Sequence, residues 1–236
     1  MATFVLVHGA WHGGWCWIKV TRLLTDAAHT VYTPTLTGLG ERAHLARPEI
    51  DLETHVQDVV AVLESEEVRN VVLVGHSYAG MVISGVAARV PNRIARLVYL
   101  DAFVPDAGQS LLSFMPQERA DGIRKTAAES GEGWRIPPFL PERFGVTSQR
   151  DTEWLQRHLV PQPLRTFESP LAAAPPGKIP RTYIYCSKPA MGAFDQFADR
   201  LRDDRKWKFH DVKTGHDAMI TAPGETAKIL MAEAKE

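Results

Sequence analysis

Four consecutive apolar residues, Val71-Val72-Leu73-Val74, run into Gly75-His76-Ser77-Tyr78-Ala79, and beyond them Met81, Val82 and Val86 recur at helical spacing. This pattern predicts a buried strand that turns sharply into a helix with Ser77 on the turn. In such a turn the serine side chain stands clear at the end of a sheet. The helix N-terminus points toward it, and the next backbone N–H is placed to bind an oxyanion. Strand and helix backbones nearly touch there, so only small residues are tolerated two before and two after the serine. Gly75 and Ala79 meet that demand, giving Gly-x-Ser-x-Ala in place of the fuller Gly-x-Ser-x-Gly. A serine ahead of a helix is often only a cap, but a strand on one side and a helix on the other favour a nucleophile.

The rest of the chain alternates in the same way. Phe4-Val5-Leu6-Val7 reads as a buried strand ending in the glycine-rich loop His8-Gly9-Ala10-Trp11-His12-Gly13-Gly14. Residues 15–28 read as a helix with Ile18, Leu23 and Leu24 as its apolar positions, and residues 30–33 as a short strand stopped by Pro34. Asp51 is a good N-cap for a helix whose face is Leu52, His55, Val56, Val59, Val60 and Leu63. Further strands are expected at 94–100, 179–186 and, with the alternation of a sheet edge, 207–212. Phe194, Phe197, Ala198 and Leu201 mark a helix between the last two, and a terminal helix begins near Pro223. Strand, helix, strand, helix implies a mostly parallel sheet flanked by helices, with right-handed crossovers.

Residues 106–176 break the pattern. They are rich in proline and aromatics, including Trp134, Phe139, Phe144, Trp154 and Phe167, and lack strand-like runs. An inserted, largely helical cap is expected there, dividing the α/β core into residues 1–105 and 177–236. Its aromatics suit either a substrate pocket or a small core of the cap's own.

A chain of 236 residues holds one such domain with an insertion. Its net charge of −1 and lack of a basic stripe argue against nucleic acid as a partner. The glycine loops lack the endings of a P-loop or a dinucleotide fingerprint, so no nucleotide cofactor is expected. His8 and His12 have no third ligand near them in sequence and read as loop-packing residues; no metal is expected. Cys16 and Cys186 show no ligand spacing and cannot form a disulfide framework, and the N-terminal apolar run is too short for a signal peptide or a membrane span. The expectation is a cytoplasmic protein acting on a small molecule, away from membranes, with a homodimer as the candidate assembly.

Two more residues stand where a parallel sheet gathers its chemistry. Asp101 ends the strand after the elbow helix, and His216 follows the last strand on a glycine turn. The glycine loop after the first strand is suited to supply a second oxyanion N–H, from Ala10.

Taken together, Val7-His8-Gly9-Ala10-Trp11-His12-Gly13-Gly14-Trp15, Gly75-His76-Ser77, Phe103-Val104-Pro105 and Gly215-His216-Asp217-Ala218-Met219 resemble the α/β-hydrolase superfamily. Within it, the chain is similar to the group containing plant methylesterases, hydroxynitrile lyases and bacterial carboxylesterases. The resemblance implies Ser77 as nucleophile, His216 as base, and Ala10 and Tyr78 N–H groups as the oxyanion hole. Members of the group commonly place the triad acid shortly after the strand ending at Cys186. Here that stretch is Ser187-Lys188-Pro189, and the next acid is Asp195, so Asp101 is the preferred acid and Asp195 the alternative. Hydroxynitrile lyases of the group carry a threonine in place of Gly9 and a lysine soon after the catalytic histidine, so the resemblance favours an esterase. A lyase, or a ligand-binding protein on a hydrolase fold, is the alternative. Trp11, Phe103 and Trp134 are the expected substrate contacts, and such a pocket has little to hold a charge, which implies small to medium apolar esters.

Overall fold

The computed structural model describes residues 1–235; Glu236, the last residue of the expected core, lies outside them. In chain order the first half comprises β1 (Thr3–Val7), α1 (Ile18–Asp26), β2 (Thr30–Tyr32), α2 (Leu52–Ser65), β3 (Val71–His76), α3 (Ala79–Arg89) and β4 (Ile94–Leu100). The segment that follows carries α4 (Gln117–Ser130), β5 (Arg135–Ile136), α5 (Gln149–His158), β6 (Gln162–Pro163) and α6 (Arg165–Glu168). The chain then returns through β7 (Arg181–Cys186), α7 (Asp195–Leu201), β8 (Trp207–Val212), α8 (Ala218–Thr221) and α9 (Pro223–Glu233).

Six strands form one sheet in the order β2-β1-β3-β4-β7-β8, with every pairing parallel. The α/β-hydrolase fold expected from the sequence is borne out. The central strands are buried on both faces, which is why β1 and β3 read as unbroken apolar runs. Strand order reverses between β1, which leads outward to β2, and β3, which leads the other way. A crevice opens at the carboxyl ends of strands at such a switch point. Register then fixes what meets there. Val7 pairs with Gly75, His76 with Leu100, Leu100 with Ile184, and Cys186 with Val212. The loops beginning at His8, Ser77, Asp101, Ser187 and Lys213 therefore leave the sheet along one edge.

α2 is built as its sequence indicates. The Asp51 side chain accepts from Thr54 N–H while the Thr54 side chain reaches back, and Leu52, His55, Val56, Val59, Val60 and Leu63 are all buried. α1 differs from expectation. A 3₁₀ turn (Gly14–Trp17) precedes the helix and shifts its phase, so Trp17, Val20 and Leu24 face the core while Ile18 and Leu23 are 45% and 39% exposed. β8 is an edge strand, but its residues are half-buried without alternation up to Val212. Between β4 and β7 the structure adds one antiparallel pair, β5 with β6, too short and too far apart in sequence to leave a periodic signal. No helix among the described residues is long and apolar enough to cross a membrane.

Candidate active site

The elbow after β3 is strained and tightly packed. Ser77 has φ of 56°, in the left-handed region that non-glycine residues rarely adopt, and the same is true of Trp11 at 66° and Asp101 at 42°. Each such residue costs about 1–3 kcal/mol and persists only where its surroundings hold it. Here they do: Ser77 N–H donates to Leu100 O at 3.2 Å, and Phe103 N–H donates to Ser77 O at 3.2 Å. A Cβ on Gly75 would lie 2.6 Å from Ala79 O, which is the close approach that requires glycine.

Asp101 leaves β4 beside the elbow and is fully buried. Its Oδ1 accepts from Cys186 N–H at 3.1 Å, and its Oδ2 accepts from His216 Nδ1 at 2.6 Å. Burial pushes the Asp101 carboxyl above its ordinary value, and the bonds from His216 and Cys186 oppose that shift. Asp195, the alternative acid, is engaged otherwise: its carboxylate accepts from Tyr185 OH at 2.7 Å.

The His216 ring is wedged between Phe194, stacked at 4.8 Å, and His76 at 4.4 Å. Its main chain is clamped as well. His76 Nε2 donates to His216 O at 3.1 Å, and Asp217 N–H donates to Phe144 O at 3.1 Å. Asp217 in turn accepts from His12 Nε2 at 3.1 Å, while His12 Nδ1 donates to Ala10 O at 2.7 Å. Because both ring nitrogens of His12 face acceptors, the imidazolium is the form that fits. Burial works against the charge, but Asp217 and the Ala10 carbonyl outweigh it and raise the His12 pKa.

His76, His216 and Asp217 bring ligand-type atoms within 4.8 Å of one another. His76 Nε2 and Asp217 Oδ2 are already engaged with His216 O and His12, so the trio forms a hydrogen-bonded block around the imidazole.

Ala10 lies on the loop after β1, next to the elbow; a Cβ on Gly9 would come 3.0 Å from Ser77 Cβ. The loop is pinned by Trp11 N–H to Gln162 Oε1 at 3.1 Å and Trp11 Nε1 to Ile136 O at 3.0 Å. The N–H groups of Ala10 and Tyr78 are not spent on any other protein group among the described residues. The Tyr78 ring is held by its hydroxyl. His55 Nε2–H donates to Thr37 O, which leaves Nδ1 to accept from Tyr78 OH at 2.9 Å.

Ser77, His216, Ala10, Tyr78, Trp11 and Phe103 all border one cavity of about 650 Å³. Trp134 does not. It was expected as a substrate contact but lies outside the lining, with Arg135 over its ring at 4.9 Å. Ile136, two residues on, borders the cavity instead. The sequence reading also missed Phe194 and Met191. Both sit near the start of α7, where only a core face was legible.

The family described as alpha/beta hydrolase matches residues 4–229 of this chain. A curated relative, the carbendazim hydrolyzing esterase of Nocardioides sp. (strain SG-4G), is 42% identical over 98% of this chain and 99% of that protein. Methylesterase 2 of Arabidopsis thaliana is 27% identical, covering 97% and 94% of the two chains. Among solved structures, an extracellular alpha/beta-hydrolase from a Paenibacillus species superposes with a TM-score of 0.79 at 25% identity, covering 99% of each chain. With sheet order, elbow and near full-length similarity in agreement, this chain belongs to the alpha/beta hydrolase family.

Proposed function

We propose that the protein hydrolyses small to medium carboxylic esters through an acyl-enzyme on Ser77. Family membership and the full-length likeness to an esterase make it an ester hydrolase of the serine type. The observation that carries the residue assignment is the 2.6 Å bond between His216 Nδ1 and Asp101 Oδ2 beside the cavity onto which Ser77 opens. An ionised carboxylate only accepts, so the imidazole proton stays on Nδ1 and Nε2 is left as the base.

In this reading His216 Nε2 takes the Ser77 proton as Oγ attacks the ester carbonyl. The Ala10 and Tyr78 N–H groups hold the oxyanion, and His216 returns the proton to the leaving alcohol. Water then repeats the sequence on the acyl-enzyme and frees the acid. The buried imidazolium of His12, bound to Ala10 O, steadies the loop that carries one of the two oxyanion donors.

Residues 106–176 act as the cap; Leu111, Met115, Ile136, Phe139 and Phe167 from this segment border the cavity, which supports that role and favours apolar groups near the reacting carbonyl. A lyase of the resembling group would need threonine at position 9, where a Cβ would come 2.8 Å from His76 Nδ1. The free, buried Cys16 and Cys186 support a reducing compartment, the cytoplasm.

A fluorophosphonate probe tests the reading directly. Labelling of the wild type that disappears in Ser77→Ala supports it, and equal labelling of both proteins overturns it. A panel of methyl esters, with carbendazim added because the Nocardioides relative is named for hydrolysing it, then defines the acyl group.

A further inference from the structure

The inner face of α4 carries Arg119, Gly122, Ile123 and Thr126, spaced as one helical stripe, and all four border the cavity that holds Ser77. Arg143, from the 3₁₀ turn Pro141–Phe144, borders the same cavity. Besides His216 and the Tyr78 phenol, these two arginines are the ionisable side chains on a lining that includes no carboxylate. Both residues are exposed, which puts them at the solvent side of the cavity. Neither guanidinium has a hydrogen bond or ion pair with another described residue. Nearby arginines of the same segment are paired, Arg124 with Glu168 and Asp121, and Arg135 with Glu132.

From this arrangement we infer that Arg119 and Arg143 form an anion site at the mouth of the cavity, and that the substrate is an ester whose far end carries a carboxylate. The inference rests on the esterase reading and narrows it. The rest of the lining is mostly apolar, with Phe103, Met115, Ile123 and Phe139 among it. A molecule that fills the site is therefore an ester at one end, hydrocarbon in the middle and anionic at the other. Guanidinium groups suit that last part, because their planar fork matches the two oxygens of a carboxylate. Two like charges bordering one void also repel, and an anion between them relieves the repulsion.

Binding to the Ser77→Ala protein, measured by calorimetry, tests this without requiring turnover. The ligands are monomethyl esters of linear dicarboxylic acids of increasing length, each compared with the dimethyl ester of the same acid. At the best length the monoanion should bind about tenfold tighter at low salt, as expected for a charge-assisted, bidentate contact. That advantage should shrink in about 0.5 M salt, since exposed charges are screened. In a double variant adding Arg119→Gln and Arg143→Gln it should fall close to one. Melting curves check that the fold survives, and Arg119→Glu gives a second variant, with one positive and one negative charge at the site, in which the preference should likewise be lost. Equal binding of monoanion and diester at every length overturns the proposal. So does an advantage that persists in the double variant, and so does failure of both ligands to bind. Hydrolysis of the same esters by the wild type reports separately on the esterase reading.

Discussion

His216 Nδ1 and Asp101 Oδ2 lie 2.6 Å apart across 115 residues of chain, and the pair is buried. Asp195, the other acid available near the end of β7, is held by the Tyr185 hydroxyl instead. Asp101→Asn should therefore lower kcat by about 10⁴, as loss of the tautomer-fixing carboxylate does in serine proteases. Asp195→Asn should stay within a few-fold of wild type. Steady-state kinetics on a methyl ester checks both, and the reverse pattern would assign the acid to Asp195.

Gly9 is the point where the loop after β1 meets the elbow. A Cβ there would lie 2.8 Å from His76 Nδ1 and 3.0 Å from Ser77 Cβ. Neither neighbour is the free end of a flexible side chain, so Gly9→Ala should push the serine out of line. A misplacement of that size costs on the order of 10² in kcat. The test is kcat together with circular dichroism: activity falls while the fold is kept.

Acid sensitivity follows from histidines buried in the neutral state. Burial lowers His8 from 6.5 to about 3, and its Nε2 accepts from Leu36 N–H, a bond that a protonated ring cannot make. Burial, with His216 and His12 nearby, holds His76 well below its ordinary value as well. The unfolded chain binds these protons first, so the stabilising contribution is present above about pH 6.5 and is lost as pH falls toward 3. Each such histidine adds a slope of about 1.4 kcal/mol per pH unit in that window. Urea unfolding between pH 6.5 and 4.5 measures it, and His8→Gln should flatten the slope.

The His12–Asp217 pair works in the opposite direction. Its raised folded pKa makes its contribution complete below about pH 6.5 and lost as pH rises through the folded value. Asp217→Asn leaves a buried imidazole without its countercharge and should cost about 3–5 kcal/mol in urea unfolding at pH 6, in line with other broken buried pairs. Because Asp217 follows His216 and His12 grips Ala10 O, kcat should fall in the same variant.

Residues close together in sequence could be read without coordinates. The β3–Ser77–α3 elbow, the Asp51 cap of α2 and the parallel order of the sheet follow from apolar period, small residues at the turn and capping chemistry, all of which act within a few residues. The phase of α1 was not legible, because a 3₁₀ turn ahead of it rotates the helix by an amount that composition does not encode. That Ile136 and not Trp134 borders the cavity was not legible either, since it depends on how the β5–β6 pair packs, and β6 lies far away in sequence.

The sequence by itself determined that a serine would stand on a strained turn at the end of a parallel sheet, because strand, turn and helix signals are local. It also supplied two acids, Asp101 and Asp195, for one imidazole. Only the tertiary structure sets one of them, Asp101, against that imidazole. Strand register sets Asp101 beside the elbow, and a glycine turn after β8, packed against Gly145, carries His216 back toward β4. The same packing turned one stripe of α4 toward the cavity and brought Arg119 and Arg143 into its lining, a placement that depends on how distant segments settle against each other.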